Sequence, residues 1–199
     1  GAFARASYAY KNRYLLNATV RRDGSSKFAP KNRWGTFGSV GLGWVLSEEA
    51  FFQNIEKINF MKLRFAWGKL GNQNGVPDNA YLPGLVNANT AIFGDNIYTS
   101  VKADYIPDPN LHWEVVQGMD LGLDVKAFNN KFNAEINLYD RTTKDILTIL
   151  TLPATDDRYF TNLGEITNRG IEVSMGWNNQ IDDLRYGINA NYSYIKNFV

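Results

Sequence analysis

The residues of this chain that could do chemistry are few in kind. It has one histidine, His112, and no cysteine. That count excludes a multi-histidine metal centre, a thiolate zinc site, a disulfide framework and a catalytic cysteine. A Ser-His-Asp triad would have to be built on His112. It stands just before Trp113 at a strand entry, where a lone imidazole more often serves structure. Carboxylates are plentiful: Glu114, Asp120, Asp124 and Glu135 fall on polar strand faces. A glycosidase needs two such groups across a cleft at a set separation, and nothing in their order along the chain imposes one. They read as groups lining a wet surface. Asp104, Asp108, Asp156, Asp157, Asp182 and Asp183 are oxygen ligands by type, but none has EF-hand spacing. Turn residues or a loop-bound Ca²⁺ are the two readings. Gly38-Ser39-Val40-Gly41-Leu42-Gly43 has the glycine content of a phosphate loop, yet it lies in an alternating run with no helix behind it. No catalytic, cofactor-binding or metal-binding residue is therefore assigned. The chain reads as a non-enzyme without a cofactor, and no pattern singles out substrate-contacting residues.

Composition agrees. Lys and Arg number 21 and Asp and Glu 20 in 199 residues, a net charge of +1. That balance lacks the basic excess of a nucleic-acid binder. Hydrophobic residues make up 44%, too many for a disordered chain. There are 23 Asn, 17 Gly, 11 Tyr and only 6 Pro, the profile of a β protein with many turns. The chain begins Gly1-Ala2 without Met and stops inside an alternating stretch, which predicts a piece of a longer protein. No apolar run approaches the ~20 residues of a membrane-spanning helix. Barrel strands, however, hide their hydrophobicity in alternation.

The elements that must position these residues are strands. Alternation is clearest over 113–127, where Trp113, Val115, Gln117, Met119, Leu121, Leu123, Val125 and Ala127 oppose Glu114, Val116, Gly118, Asp120, Gly122, Asp124 and Lys126. After the turn pair Asn129-Asn130 it resumes with Phe132, Ala134, Ile136 and Leu138. Similar runs cover Ala4–Tyr10, Tyr14–Val20, Val40–Trp44, Leu63–Trp67, Ile171–Trp177 and Tyr186–Tyr194, giving eight strands. Several exceed ten residues, against ~5–6 in soluble domains and ~9–11 for a tilted membrane crossing. Connections alternate in length. Residues 11–13, 129–130 and 178–184 are short. Residues 47–59 are a moderate link, with Ser47–Phe52 reading as one capped helical turn. Residues 22–35, 71–110 and 143–160 are long. Short turns on one side and long loops on the other is the layout of outer-membrane barrels, which would put the long ones outside the cell. Residues 71–110 are turn-rich and read as a surface loop. Tyr10 and Tyr14, Trp44 with Phe51 and Phe52, Phe128 and Phe132, and Trp177 and Tyr186 flank the short connections, a girdle at a lipid–water interface.

Seven ordered stretches then carry a resemblance. They are Arg21–Phe28 with Asn32–Val40, Ser47–Phe52, Lys62–Gly68 leading to Gly71-Asn72-Gln73, Pro109–Glu114, Tyr139–Asp145, Asn162–Glu165 and Asn168–Glu172. Together they resemble the SusC/RagA family of TonB-dependent outer-membrane transporters, nearly end to end. The resemblance implies an all-β, antiparallel, up-and-down transmembrane barrel segment, about eight strands of a larger barrel of the 22-stranded type. Residues 1–199 would be part of a single outer-membrane β-barrel domain, with the plug, the TonB box and the remaining strands absent. It implies import of glycans or peptides across the outer membrane of a Gram-negative cell of Bacteroidetes type. The implied partners are a SusD-like surface lipoprotein, TonB through absent parts, an oligosaccharide or peptide substrate and outer-membrane lipid, with no nucleic acid. The competing reading is a soluble glycan-binding β-sandwich whose rings line a sugar groove. As a barrel wall the sheet should be open and curved, with Ala2–Tyr10 and Arg185–Lys196 as its edges. Closure into a small eight-stranded barrel is the alternative, eased by the inward glycines Gly41, Gly43, Gly118, Gly122 and Gly176.

Overall fold

A computed structural model describes residues 1–52, 54–153 and 157–199 of the chain. Its strands are β1 (Ala2–Tyr10), β2 (Tyr14–Gly24), β3 (Trp34–Val45), β4 (Ile58–Asn72), β5 (Leu85–Phe93), β6 (Asn96–Ala103), β7 (Tyr105–Ile106), β8 (Glu114–Ala127), β9 (Phe132–Lys144), β10 (Leu147–Thr151), β11 (Arg158–Asn162), β12 (Glu165–Ile181) and β13 (Leu184–Phe198). Eight of them form one sheet in the order β1-β2-β3-β4-β8-β9-β12-β13. Every neighbouring pair is antiparallel. β1 and β13 stand at opposite edges, so among the described residues the sheet is open rather than closed on itself.

Register explains why the two faces differ. Tyr8, Leu16, Leu42, Phe65, Leu121, Leu138, Ile171 and Tyr194 are successive cross-strand partners, one row running through all eight strands. One step along, the row Asn17, Gly41, Ala66, Asp120, Tyr139 and Gly170 lies on the opposite face. Side chains in a strand alternate with period two. The apolar and polar sets read from sequence therefore each become one continuous face. The apolar face is not covered: Leu42, Phe65, Leu121, Leu138 and Ile188 are between 36% and 68% exposed. A β-sandwich would bury that face against a second sheet.

Tight connections gather at one end. β1 and β2 join through Lys11 and Asn12, both left-handed at φ 51° and 55°. β8 and β9 join through Phe128, Asn129 and Asn130, all at positive φ. The β12–β13 turn is shorter than the expected 178–184, because pairing continues to Ile181↔Leu184 and leaves only Asp182 and Asp183 outside it. The moderate link is not one capped helical turn. It forms two 3₁₀ turns, Leu46–Glu48 and Ala50–Phe52, and Val45 stands at the first N-cap without a side-chain bond. Ser47 is thus inside the turn rather than capping it.

The expected ring girdle is present at this end. Tyr10 stacks on Tyr14 and Tyr14 on Trp44, each pair 6.4 Å between centroids. Trp44 meets Phe51 edge-on at 6.5 Å, and Phe128 meets Trp177 at 5.9 Å. Glu49 ties the polar tips together. Its Oε1 accepts from Tyr14 Oη at 2.7 Å and Trp44 Nε1 at 3.0 Å, while Arg13 lies 3.4 Å from Oε2. The bond from Tyr14, then that from Trp44, hold the Glu49 carboxyl below the ordinary range of a glutamate.

Near the other end, β3–β4 pairing stops at Ser39↔Gly68. Beyond it the Phe37 ring lies against Gly71, where a Cβ would overlap it. Phe37 is buried and packs on Trp113 at 5.4 Å, so it has nowhere to swing. Gly71→Ala is expected to cost ~1–3 kcal/mol through overpacking. Gly41→Ala, whose Cβ would meet nothing nearer than a carbonyl oxygen at 4.0 Å, should be tolerated. Thermal unfolding of the full-length protein carrying this chain distinguishes them, and equal midpoints would contradict the packing described.

Candidate functional site

Two features of the polar side are built for function: a charged groove on the sheet and a packed cap of loops at its end. The groove has a volume of ≈ 640 Å³; Arg5, Asn17, Thr19, Ser39, Asp120 and Arg141, among others, supply its polar lining, and Phe37, Val40, Ala66, Trp67, Leu70 and Val116 a larger apolar one. Arg141 Nη2 donates to Asp120 at 3.2 Å. Nearby, Arg64 binds both oxygens of Asp124 and also donates through Nη2 to Glu135 at 2.8 Å and Asn137 at 3.0 Å. Gly122 makes room for this cluster. A Cβ there would sit 2.8 Å from Arg64 Cζ and from Asn137 Oδ1. Gly176 does the same between Asn133 and Asn189, both 2.6 Å from its would-be Cβ. These two glycines thus clear space for polar side chains, rather than tightening a closed barrel.

The cap was not legible as such in the sequence. The connections β2–β3, β4–β8 and β9–β12 all leave the end opposite the tight turns. They share one core: Phe28, Val76, Ala80, Tyr105, Leu111, Leu147 and Phe160, with Phe37 and Trp113 from the strand ends. Phe28 and Leu111 are fully buried. Residues 71–110 are therefore more than a polar surface loop. They carry the β5–β6 hairpin and β7, and β7 joins β10 and β11 in a three-stranded sheet that links two connections. Trp113, expected on the apolar strand face, instead packs between Phe28 and Phe37, because β8 begins only at Glu114. Burial, and then the nearby charge of Asp104, raise the Tyr105 phenol. The one signal of this core in the sequence is the apolar content of Tyr105-Ile106, Leu147–Leu150 and Tyr159-Phe160 within stretches otherwise rich in turn residues.

The candidate acids divide between these features. Asp120, Asp124 and Glu135 meet arginines on the groove side. Glu114 is buried in the cap, accepting from Asn72 Nδ2 at 2.9 Å and Leu147 N at 3.0 Å. Asp108 accepts from Asn110 N and Thr161 Oγ1. Asp104 pairs with Arg158. His112 meets none of the candidate acids but sits beside another: its Nε2 lies 3.6 Å from Asp145, its Nδ1 lies 2.8 Å from Asn110 O, and its backbone N–H donates to Asn162. Asp156 lies outside the described residues. Among the described residues no three acidic or histidine groups converge as a metal site. The arrangement offers binding by charge and hydrogen bonding.

An uncovered apolar face, a polar face and long loops packed over one end define a segment of antiparallel β-barrel wall. The chain belongs to the family described as TonB dependent receptor-like, beta-barrel, which matches residues 1–199. It is 36% identical over 204 residues to TonB-dependent receptor SusC of Bacteroides thetaiotaomicron, covering 97% of this chain and 20% of that protein. It is 37% identical over 180 residues to TonB-dependent receptor P26 of Formosa agariphila, covering 89% and 18% respectively. Among solved structures, the RagAB peptide importer in its closed-closed state superposes with a TM-score of 0.86 at 27% identity. The match covers 98% of this chain and 21% of that one. The chain thus spans about a fifth of the relatives it matches. Family and fold expectations hold, and the β-sandwich is not favoured.

Glu114→Ala should leave the Leu147 N–H and the Asn72 amide without their acceptor, at a cost of ~1–3 kcal/mol. Tryptic cleavage after Arg158 in the full-length protein should then accelerate about tenfold through local opening. An unchanged cleavage rate would show that this carboxylate does not hold the cap together.

Proposed function

We propose that this chain is part of the wall and outer loops of an outer-membrane importer that moves oligosaccharides or peptides without chemical change, driven through TonB and served by a SusD-like surface lipoprotein. The observation that carries the reading is the pairing of an exposed apolar face with a charged opposite face across eight long strands. In water the apolar face would be an aggregation hazard. Against lipid it is the surface a barrel presents. The two open edges support a continuing barrel, since in lipid each unpaired backbone group costs several kcal/mol. The plug and remaining strands would come from the rest of the parent. The RagAB structures are those of a peptide importer, which supports the peptide class, and the oligosaccharide class rests on the resemblance to the SusC/RagA family. The polar groove, with Arg5, Asp120 and Arg141, would then face the water-filled passage, and the packed loops would stand outside the cell.

Leu121→Arg in the full-length receptor should reduce its outer-membrane level severely, since an arginine on the lipid face near mid-bilayer costs ~2–4 kcal/mol. Ser39→Arg, on the groove side, should leave that level near wild type. Equal levels for both would sink the assignment of faces.

Topology has its own check. Gly94 lies at the tip of the β5–β6 hairpin with nothing within 4 Å of its would-be Cβ. A short epitope inserted after Gly94 should be labelled on intact cells. Labelling only after the outer membrane is permeabilised would reverse the orientation.

A further inference from the structure

The apolar face has two unlike rims. At the tight-turn end the rim is aromatic, as described above. At the loop end it is cationic. Along β2 the apolar positions Leu16, Ala18 and Val20 give way to Arg22; along β4, Leu63, Phe65 and Trp67 give way to Lys69. β12, read toward the same end, passes Met175, Val173 and Ile171 to reach Arg169, and β13 passes Ala190, Tyr192 and Tyr194 to reach Lys196. Arg169 and Lys196 are direct cross-strand partners. By register these cations end successive rows of the face: Arg22 stands opposite Ala2 and Thr36, Lys69 opposite Gln117, and Arg169 opposite Asp140. Asp140, the sole carboxylate among them, is already bonded by Arg169 Nε at 2.7 Å. Among the described residues no carboxylate pairs with Arg22, Lys69 or Lys196, and all three are exposed.

Each of these cations also lies over a ring. Arg22 Cζ is 5.4 Å from the Trp34 centroid and Lys69 Nζ is 5.9 Å from that of Trp67. Arg169 and Lys196 share Phe198, at 5.6 Å and 5.0 Å. A cation over a ring is held at the border of an apolar band without losing its hydrogen-bond donors. Such donors, set at the ends of the apolar rows and short of carboxylates, complement anions at the border of the band.

Resting on the membrane reading above, we propose that this rim is a binding surface for the phosphate-bearing headgroups of outer-leaflet lipid of the lipid A class. Separate phosphates accept from Arg22, from Lys69 and from the Arg169–Lys196 pair, while the acyl chains lie along the apolar rows below them. A basic patch beside a bilayer attracts anionic lipid at each cation. The occupant is lipid rather than a soluble anion because these side chains share the face and the row ends of the uncovered apolar band.

The test uses the full-length receptor in nanodiscs of phosphatidylethanolamine containing either phosphorylated lipid A or the same lipid A without phosphate. Lipid retained after detergent extraction is read by native mass spectrometry. The wild type should retain the phosphorylated form about tenfold better. The variant Arg22→Gln/Lys69→Gln/Lys196→Gln should lose that preference while its heat-modifiability on gels stays normal. Lys11→Gln/Lys57→Gln/Lys131→Gln, which removes equal charge near the tight turns, should keep it. The proposal is overturned if the wild type retains both lipids equally, if the outer-rim variant keeps the preference, if the two variants lose it alike, or if excess inorganic phosphate displaces the lipid completely. A receptor that stays soluble without detergent and does not enter nanodiscs would defeat the membrane reading instead, so the two failures are distinguishable.

Discussion

Cross-strand register is the constraint on which the rest of this structure depends. Side chains alternate between faces at every residue, so a slip of one position would exchange the faces of a whole strand. The row from Tyr8 through Leu121 to Tyr194 is unbroken over eight strands. Only with that register do Arg64, Asp124 and Glu135 meet on one face while Phe65, Leu123 and Ile136 gather on the other. The turns help to set it. Left-handed Lys11 and Asn12 at one hairpin, and Phe128 through Asn130 at another, fix where pairing begins.

The two ends of the sheet are organised by different physics. At the tight-turn end, rings stack along the rim and Glu49 holds their polar tips. At the other end, connections too long to be hairpins bury Phe28, Leu111 and Trp113 in a small core of their own. Polar anchors register that core. Asn162 donates to the carbonyls of His112 and Asp145, at 2.9 Å and 2.7 Å, and accepts from the His112 N–H. Trp113 Nε1 reaches Arg33 O at 3.2 Å. Three stretches distant in sequence thereby behave as one packed unit, which suits them to present a defined surface beyond the sheet.

Glycines on the polar face have a local use. At Gly122 and Gly176 the missing Cβ is the space that Arg64, Asn137, Asn133 and Asn189 occupy. A face crowded with ion pairs and amides can stay flush only where some positions carry no side chain. The groove beside them pairs Arg141 with Asp120, while no ion pair of Arg5 is found among the described residues.

By itself the sequence determined the eight strands of the main sheet, though not the five in the long connections, together with the identity of the two faces and the end at which tight turns and rings collect. Those follow from period-two alternation and from local turn chemistry, both of which act between near neighbours. It also carried the family, in stretches such as Arg21–Phe28 and Asn168–Glu172, where residue types are distinctive in order. Only the tertiary structure decided what the long connections do. Tyr105, Leu111, Leu147 and Phe160 lie in short apolar patches among turn formers, and nothing within a few residues of any of them says that they meet. The same is true of Trp113, whose alternation placed it on the apolar face until the partner strands ended and Phe28 and Phe37 enclosed it. Contacts between residues some 85 positions apart, like Phe28 and Trp113, leave no periodic trace, because burial rewards their proximity in space and not their spacing along the chain.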